Sequence, residues 1–518
     1  MTGRQARLTV SPLRATLFAV ALGVALIFVI SPNVPGSSDG GIGGDDVAAA
    51  VMISLLAGGA LGFYLYLFQP RELNTLLRLF MLALLVIVWV AAAKFFLSIT
   101  LPDDERLFLS FILPVAASPM IIATLLDGGL AVAVAALLAL LTAFVGFYLP
   151  EARESLAVHP LDALQMVTTF LLGGLVGIFA VHRAERLNRY LVAGGVVTFV
   201  SFIVLLSFWL LSGGRDAVDP VWMIFAASLG GFLSAVIVVG ATVILGLMFG
   251  ITTRMQLMEL AQLNHPLLRR LQEQAPGTFH HSVIVGNLAE RAADQVDADS
   301  LLVRVGCYFH DIGKVAKPVY YIENQIQGEN PHDKLTPAAS AKMVADHVYT
   351  GLELAKRHRI PAQVRAFIPE HHGTRLVTYF YRKAASEDAT TDPEKFRYPG
   401  PRPQSRETAI VMLADSVEAV VRSSRDRSVE RVDSLVEAVI AERVTEGQLD
   451  ECDLTLRDLK TISESFKATL RGVYHPRIEY PAPTAAERPA AAIGGLPEPL
   501  AGPMDGTAPP LEIERPRG

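Results

Sequence analysis

Eight separate apolar stretches fill the first half of the chain, near residues 13–31, 47–68, 75–97, 107–126, 129–149, 161–181, 190–211 and 222–251. Each is close to the 20 or so residues that a helix needs to cross the hydrocarbon core of a bilayer. Residues 13–251 carry almost no charge inside these runs, whereas residues 252–480 are rich in it, so the two halves fold in different solvents. The 518-residue length exceeds one ordinary domain, and 51% hydrophobic residues are too many for a wholly soluble protein. The net charge of −6 is small and hides this asymmetry.

Arg4, Arg7 and Arg14 precede the first run, as in a signal peptide. No small-residue cleavage site follows Leu17–Ile30, however, and further spans come after it, so the reading is a retained span. Arginines set the orientation. One set of connections holds Arg71, Arg78, Arg183, Arg186, Arg189 and Arg254; the other holds only Arg106, Arg153 and Arg215. The first set belongs to the cytoplasm, and an even number of spans then puts both termini there. The expected location is the inner or plasma membrane, crossed about eight times, with the lipid bilayer as a partner. Residues 1–46 form the first span and a short extracytoplasmic loop, and residues 47–253 form seven further spans.

Lys94 is the ionisable residue well inside a run, and it lies near enough to the outer end to snorkel. Scattered Ser, Thr and Gln165 read as helix-packing contacts. A sensor or anchor therefore fits better than a transporter. Residues 254–275 read as a helical linker, with Leu260, Leu263, Leu267 and Leu271 at helical spacing and Pro266 kinking the stretch or starting a new helix. Residues 276–480 show helical periodicity and few alternating patterns, so this domain is expected to be all-α. Residues 481–518, rich in Pro, Ala and Gly, are expected to be disordered. Two cysteines, Cys307 and Cys452, make no disulfide framework and suit a reducing cytoplasm.

Eight of the twelve histidines lie between 280 and 372. His358 reads as part of a solvated helix face and His332 as a loop polar group. His281, the His310–Asp311 pair, His347, the His371–His372 pair and Asp415 form a different set: five apolar helical segments supplying imidazole and carboxylate. That mixture suits divalent first-row metals such as iron or manganese, and the lack of clustered cysteines argues against structural zinc. Seven ligands exceed one tetrahedral ion and suit two ions with a bridging carboxylate. Paired metals serve phosphoryl chemistry, which makes hydrolysis of a phosphate ester the natural reaction class. Lys314 would lie on the same face as His310 if the helix continues past Gly313, where it could meet phosphate or simply end the helix. Arg375, Tyr379 and Tyr381 could hold phosphate and stack a base, or belong to a core.

The segments FHHS, HDIGK, NPHDKLTPAASA, DHVYTGLELAK, HHGT and LADSVEA, in this order, resemble the HD-domain phosphohydrolases. The likeness is to their seven-transmembrane branch, the PgpH-type cyclic di-AMP phosphodiesterases, and covers residues 255–478 and most of the membrane part. It implies metal ligands at His281, His310, Asp311, His347, His371, His372 and Asp415, with Asp311 bridging two ions. It also implies a metal-activated hydroxide that opens cyclic di-AMP to linear pApA, with His310, Asp311 and Lys314 at the reaction centre. No nucleic-acid polymer is implied, and a homo-oligomer stays open. The chain departs from the family where a large extracytoplasmic domain usually follows the first span; only SPNVPGSSDGGIGGDD stands there. The related HD-GYP proteins follow their HH with Gly-Tyr-Pro, whereas GTRLVTYFY follows His372, which favours cyclic di-AMP over cyclic di-GMP. The alternatives are a phosphodiesterase for cyclic di-GMP or another phosphoester, and a membrane receptor that binds a nucleotide without cleaving it.

Overall fold

The computed structural model describes residues 12–31, 44–69, 73, 75–98, 107–148, 160–181, 187–212, 216–325 and 330–473. The tail expected to be disordered and most of the loop after the first span lie outside the described residues. Among the described residues the chain is all-helical, apart from one isolated antiparallel bridge between Leu376 and Arg397.

The apolar half forms α1 (Pro12–Ile30), α2 (Gly44–Phe68), α3 (Leu76–Ser98), a 3-10 turn (Leu107–Ile112) leading into α4 (Ala117–Leu125), α5 (Gly128–Tyr148), α6 (Pro160–Val181), α7 (Leu187–Leu211) and α8 (Asp219–Phe249). Among the described residues, eight spans are long and apolar enough to cross a membrane, the fourth combining the 3-10 turn with α4. Their outward faces are as apolar as their inward ones: Leu22, Leu26 and Ile30 of α1 are buried while Phe28 is 80% exposed. A helix apolar all round is what lipid requires.

Helices in lipid gain little from hydrophobic association, so they pack through small residues that bring backbones together. Gly58 and Gly62 of α2 face the backbone of Ala19 and Ala15 in α1, and Gly194 of α7 faces Gly231 of α8. Some hydroxyls are satisfied on their own helices, as where Thr169 Oγ1 donates to the Gln165 carbonyl at 2.7 Å and Ser234 Oγ to that of Gly230 at 2.8 Å, while Thr198 Oγ1 donates across to the Ala227 carbonyl at 3.2 Å. Lys94 Nζ donates to the Ser31 carbonyl at 2.8 Å, which places a cation at the C-terminal end of α1.

Gly250, with φ 63°, closes α8 in the left-handed conformation that costs glycine least. Thr253 then caps α9 (Arg254–Leu260), its hydroxyl accepting from the Gln256 N–H at 3.2 Å. Pro266 begins α10 (Pro266–Gln274) rather than kinking a longer helix. Of the linker leucines, Leu260, Leu267 and Leu271 are buried and Leu263 is 42% exposed, because the break after α9 turns it outward.

The charged half contains α11 (Pro276–Gln295), α12 (Ser300–Phe309), α13 (Pro337–Arg357), α14 (Ala362–Glu370), α15 (Thr378–Glu387), α16 (Arg406–Ser423), α17 (Val429–Thr445) and α18 (Leu456–Val473). α12 packs on α11, α14 and α16. Val305, Phe309, Ile312, Val348, Val364 and Ile368 share one core. Each such side chain contributes roughly 1.5–3 kcal/mol when buried. Gly306 lets α12 and α14 approach closely, since a Cβ there would lie 2.5 Å from the Phe367 ring.

Candidate metal centre

Asp299 starts α12 by accepting from the Leu302 N–H at 3.1 Å. The helix ends after Phe309, with His310 as its C-cap, and Asp311 (φ −109°, ψ 14°) turns the chain into a 3-10 turn, Ile312–Ala316. The His310–Asp311 pair therefore sits at a helix end, and Lys314 follows in the turn rather than on the same helical face. Gly313 allows this turn to lie on α13, because a Cβ would meet the His347 carbonyl and lie 2.6 Å from the Gly351 nitrogen. α14 ends in the same way at Glu370, which leaves His371 as its C-cap and His372 just beyond. His281 comes from α11, His347 from α13 and Asp415 from α16.

All seven candidates meet. Asp311, His347, His371 and His372 form one group, and His281, His310 and Asp415 a second; within each, one ligand atom per residue lies within 4.8 Å of the others. Asp311 faces both. Its Oδ1 is 3.3 Å from His347 Nε2 and 3.7 Å from His371 Nε2, and its Oδ2 is 3.2 Å from His310 Nε2 and 3.8 Å from His281 Nε2. Asp415 Oδ1 lies 3.0 Å from His281 Nε2 and 3.9 Å from His310 Nε2.

The backbone sets the imidazole tautomers. Nδ1–H of His310 donates to the Cys307 carbonyl at 2.6 Å, that of His347 to Val344 at 2.6 Å and that of His371 to Phe367 at 2.9 Å. A carbonyl only accepts, so each neutral ring keeps its lone pair on Nε2. Those three Nε2 atoms, Asp311 Oδ1 and His372 Nδ1 are buried without a hydrogen-bond partner. Leaving such a group unsatisfied costs about 1–3 kcal/mol. A cation satisfies acceptors converging from several directions, and the imidazole–carboxylate donor set fits a divalent first-row metal.

Electrostatics agree with this geometry. Burial, reinforced by neighbouring imidazoles, pushes His371 down to about 3 and His372 well below its ordinary value. Burial also lowers His347. Burial opposes ionisation of Asp311, but Lys314 and His310 outweigh it and hold the carboxyl well below the usual range. His281 goes the other way: burial disfavours its charge, yet its bonds to Asp415 and Glu418 raise it to about 10.

Three side chains escaped sequence reasoning. Glu418 Oε2 accepts from His281 Nδ1 at 2.7 Å and is buried, which orients the ring. Its sequence signal is an acidic residue three positions after Asp415 on an apolar helix. Glu323 accepts from Lys314 Nζ at 2.8 Å, while the same ammonium lies 2.7 Å from Asp311 Oδ2. Tyr398 stacks on His372 with ring centroids 4.0 Å apart. No periodicity marks either of these two. Arg375 Nη1 donates to Ser416 Oγ at 3.1 Å, next to Asp415 in sequence. Tyr381 packs instead against Phe396, and Tyr379, 72% exposed, against Phe380. His332 is buried rather than a loop polar group, with Nε2 2.8 Å from the Tyr320 carbonyl; His358 is exposed, as expected.

A helical bundle that gathers paired histidines and aspartates in this order is an HD domain, and residues 278–420 match the model of that domain. Residues 46–253 match the model described as 7TM receptor with intracellular HD hydrolase. Among its described residues the chain thus carries eight candidate membrane helices followed by an HD domain. It is 40% identical over 316 residues to the Cyclic-di-AMP phosphodiesterase PgpH of Bacillus subtilis (strain 168), covering 61% of this chain and 44% of the relative. It is 37% identical over 394 residues to the protein of the same name from Listeria monocytogenes serotype 1/2a (strain 10403S), covering 76% and 53%. The chain thus spans about half the length of the curated relatives it matches. The crystal structure of the L. monocytogenes PgpH HD domain in complex with Cyclic-di-AMP is 45% identical, with a TM-score of 0.40, and covers 41% of this chain and 100% of that one.

Proposed function

We propose that the chain is a membrane-anchored, metal-dependent phosphodiesterase that opens cyclic di-AMP to linear pApA. The observation that carries this reading is the convergence of buried, partnerless acceptor atoms from His310, Asp311, His347, His371 and His372. The two relatives bearing the name PgpH support the substrate. Two divalent cations, iron or manganese, would be held by Asp311, His347, His371 and His372 on one side and by His281, His310 and Asp415 on the other, with Asp311 between them. When bound, such a pair supplies Lewis acidity to a phosphodiester and to water.

The chain's own residues do the rest. Lys314, fixed by Glu323, holds Asp311 ionised and presents positive charge beside the cluster. Arg375 adds a second cation for phosphate, and Tyr398, stacked on His372, offers an aromatic face for a base in place of Tyr379 and Tyr381. Residues 276–480 would form the catalytic domain, joined through a linker at 254–275 to seven spans at 47–253 and a first span within 1–46. The arginine-rich connections support a cytoplasmic location for that domain and both termini.

The test is a panel of cyclic di-AMP, cyclic di-GMP and ppGpp, each incubated with manganese-loaded full chain and resolved by chromatography. Cyclic di-AMP should yield pApA, and His310→Ala or Asp311→Ala should abolish this. Full turnover by either variant, or binding without turnover by the intact chain with its metal verified, would overturn the assignment; the latter outcome would make it a receptor.

A further inference from the structure

α8 has 31 residues, which at 1.5 Å per residue is about 46 Å, against about 30 Å of hydrocarbon. Its ends therefore reach the headgroup layers. At the C-terminal end a cleft of ≈ 350 Å³ opens between the span and the soluble domain. Its lining includes Leu247 and Gly250 at the end of α8, Gln256 of α9, Lys356 of α13, Arg359 of the α13–α14 turn and Arg365 of α14. Three cationic residues and no carboxylate line it.

Two details set this cleft apart from an ordinary charged surface. Arg359 has φ 55° in the turn that closes α13, where the Ile360 N–H donates to the Ala355 carbonyl at 2.9 Å. Glycine is favoured at that position, and an L side chain there is strained. Arg365 brings a second peculiarity: its Nε is buried with no hydrogen-bond partner. Beside the cationic wall, Leu247 and Met248 are 74% and 68% exposed on α8, an apolar strip continuous with the lipid-facing side of the span.

We infer that this cleft binds the phosphate of an anionic phospholipid headgroup, with the acyl chains lying along α8. Cationic pockets at the membrane surface recognise such headgroups. A soluble phosphate would meet the same guanidinium chemistry but would have no use for the apolar strip. The lipid would clamp the α13–α14 turn, which carries His347 and His371 on its two helices, against the membrane. This inference requires only the membrane reading of α8 and is independent of the proposed substrate.

The experiment is native mass spectrometry of the purified full chain in neutral detergent, titrated with phosphatidylglycerol or phosphatidylcholine. Phosphatidylglycerol should be retained preferentially. The triple variant Lys356→Gln, Arg359→Gly, Arg365→Gln should lose that retention by about tenfold or more, on the scale expected for charges near a bilayer. Arg359→Gly alone relieves a left-handed arginine, so it keeps the fold, and it should also weaken retention. Equal retention of the two lipids, or retention unchanged in Arg359→Gly and in the triple variant, overturns the proposal. Displacement of the lipid by millimolar inorganic phosphate also overturns it, by assigning the cleft to a soluble anion.

Discussion

Four of the five histidines of the centre have the reactive nitrogen chosen by the atom behind it, His372 being the exception. For His310, His347 and His371 that atom is a backbone carbonyl within the same helix or its last turn. His281 differs, because a carboxylate stands behind it. Raised from 6.5 to about 10, His281 carries a proton at neutral pH that an incoming cation must displace. Manganese affinity should therefore rise with pH up to about 10, with protons released on loading; calorimetry in buffers of different ionisation enthalpy measures both. Glu418→Gln should weaken manganese binding about 10–100-fold and reduce the proton release, with far-ultraviolet circular dichroism unchanged. Sequence made the seven candidate ligands legible as a group, and the structure brings them together, because imidazole and carboxylate in apolar surroundings have few other reasons to exist. Glu323 and Tyr398 were illegible because their partners are fixed by loop geometry, which leaves no periodic trace.

The elements meet at the centre by their ends. α12 and α14 each stop one residue short of a ligand, and the resulting rings of His310 and His371 are 4.7 Å apart. Gly306 is what permits this, because Phe367 occupies the space that a side chain would need. Gly306→Ala should cost about 1–3 kcal/mol through overpacking and separate the two helix ends. Metal content, read by elemental analysis, should fall more than stability does, while an exposed control such as Lys460→Ala on α18 should leave it unchanged. Hydropathy fixed the spans well, since length and composition alone decide what crosses a bilayer. It could not foresee that the fourth begins as a 3-10 turn, and it left open whether Pro266 starts a helix, as it does, or bends one. Those depend on packing and on backbone groups finding partners.

At the scale of the molecule, two solvents stabilise two kinds of helix assembly, and metal should support only one. Chelation should lower the melting temperature of the soluble half while the spans stay helical, giving two separated transitions by circular dichroism in detergent. A cation at 100 times its dissociation constant contributes about 2.7 kcal/mol, which corresponds to roughly 5–11 °C for a domain of this size. A single transition unmoved by chelator would show that no metal is linked to folding.

Between Phe249, the last residue of α8, and Arg254, the first of α9, stand only four residues. Fully extended, they reach about 14 Å. The domain is therefore a tenant of the membrane surface rather than a float on a long line. Soluble ligands of the centre arrive from the half-space away from the lipid, and anything that tilts or thickens the bilayer around α8 also reorients the floor on which the centre stands.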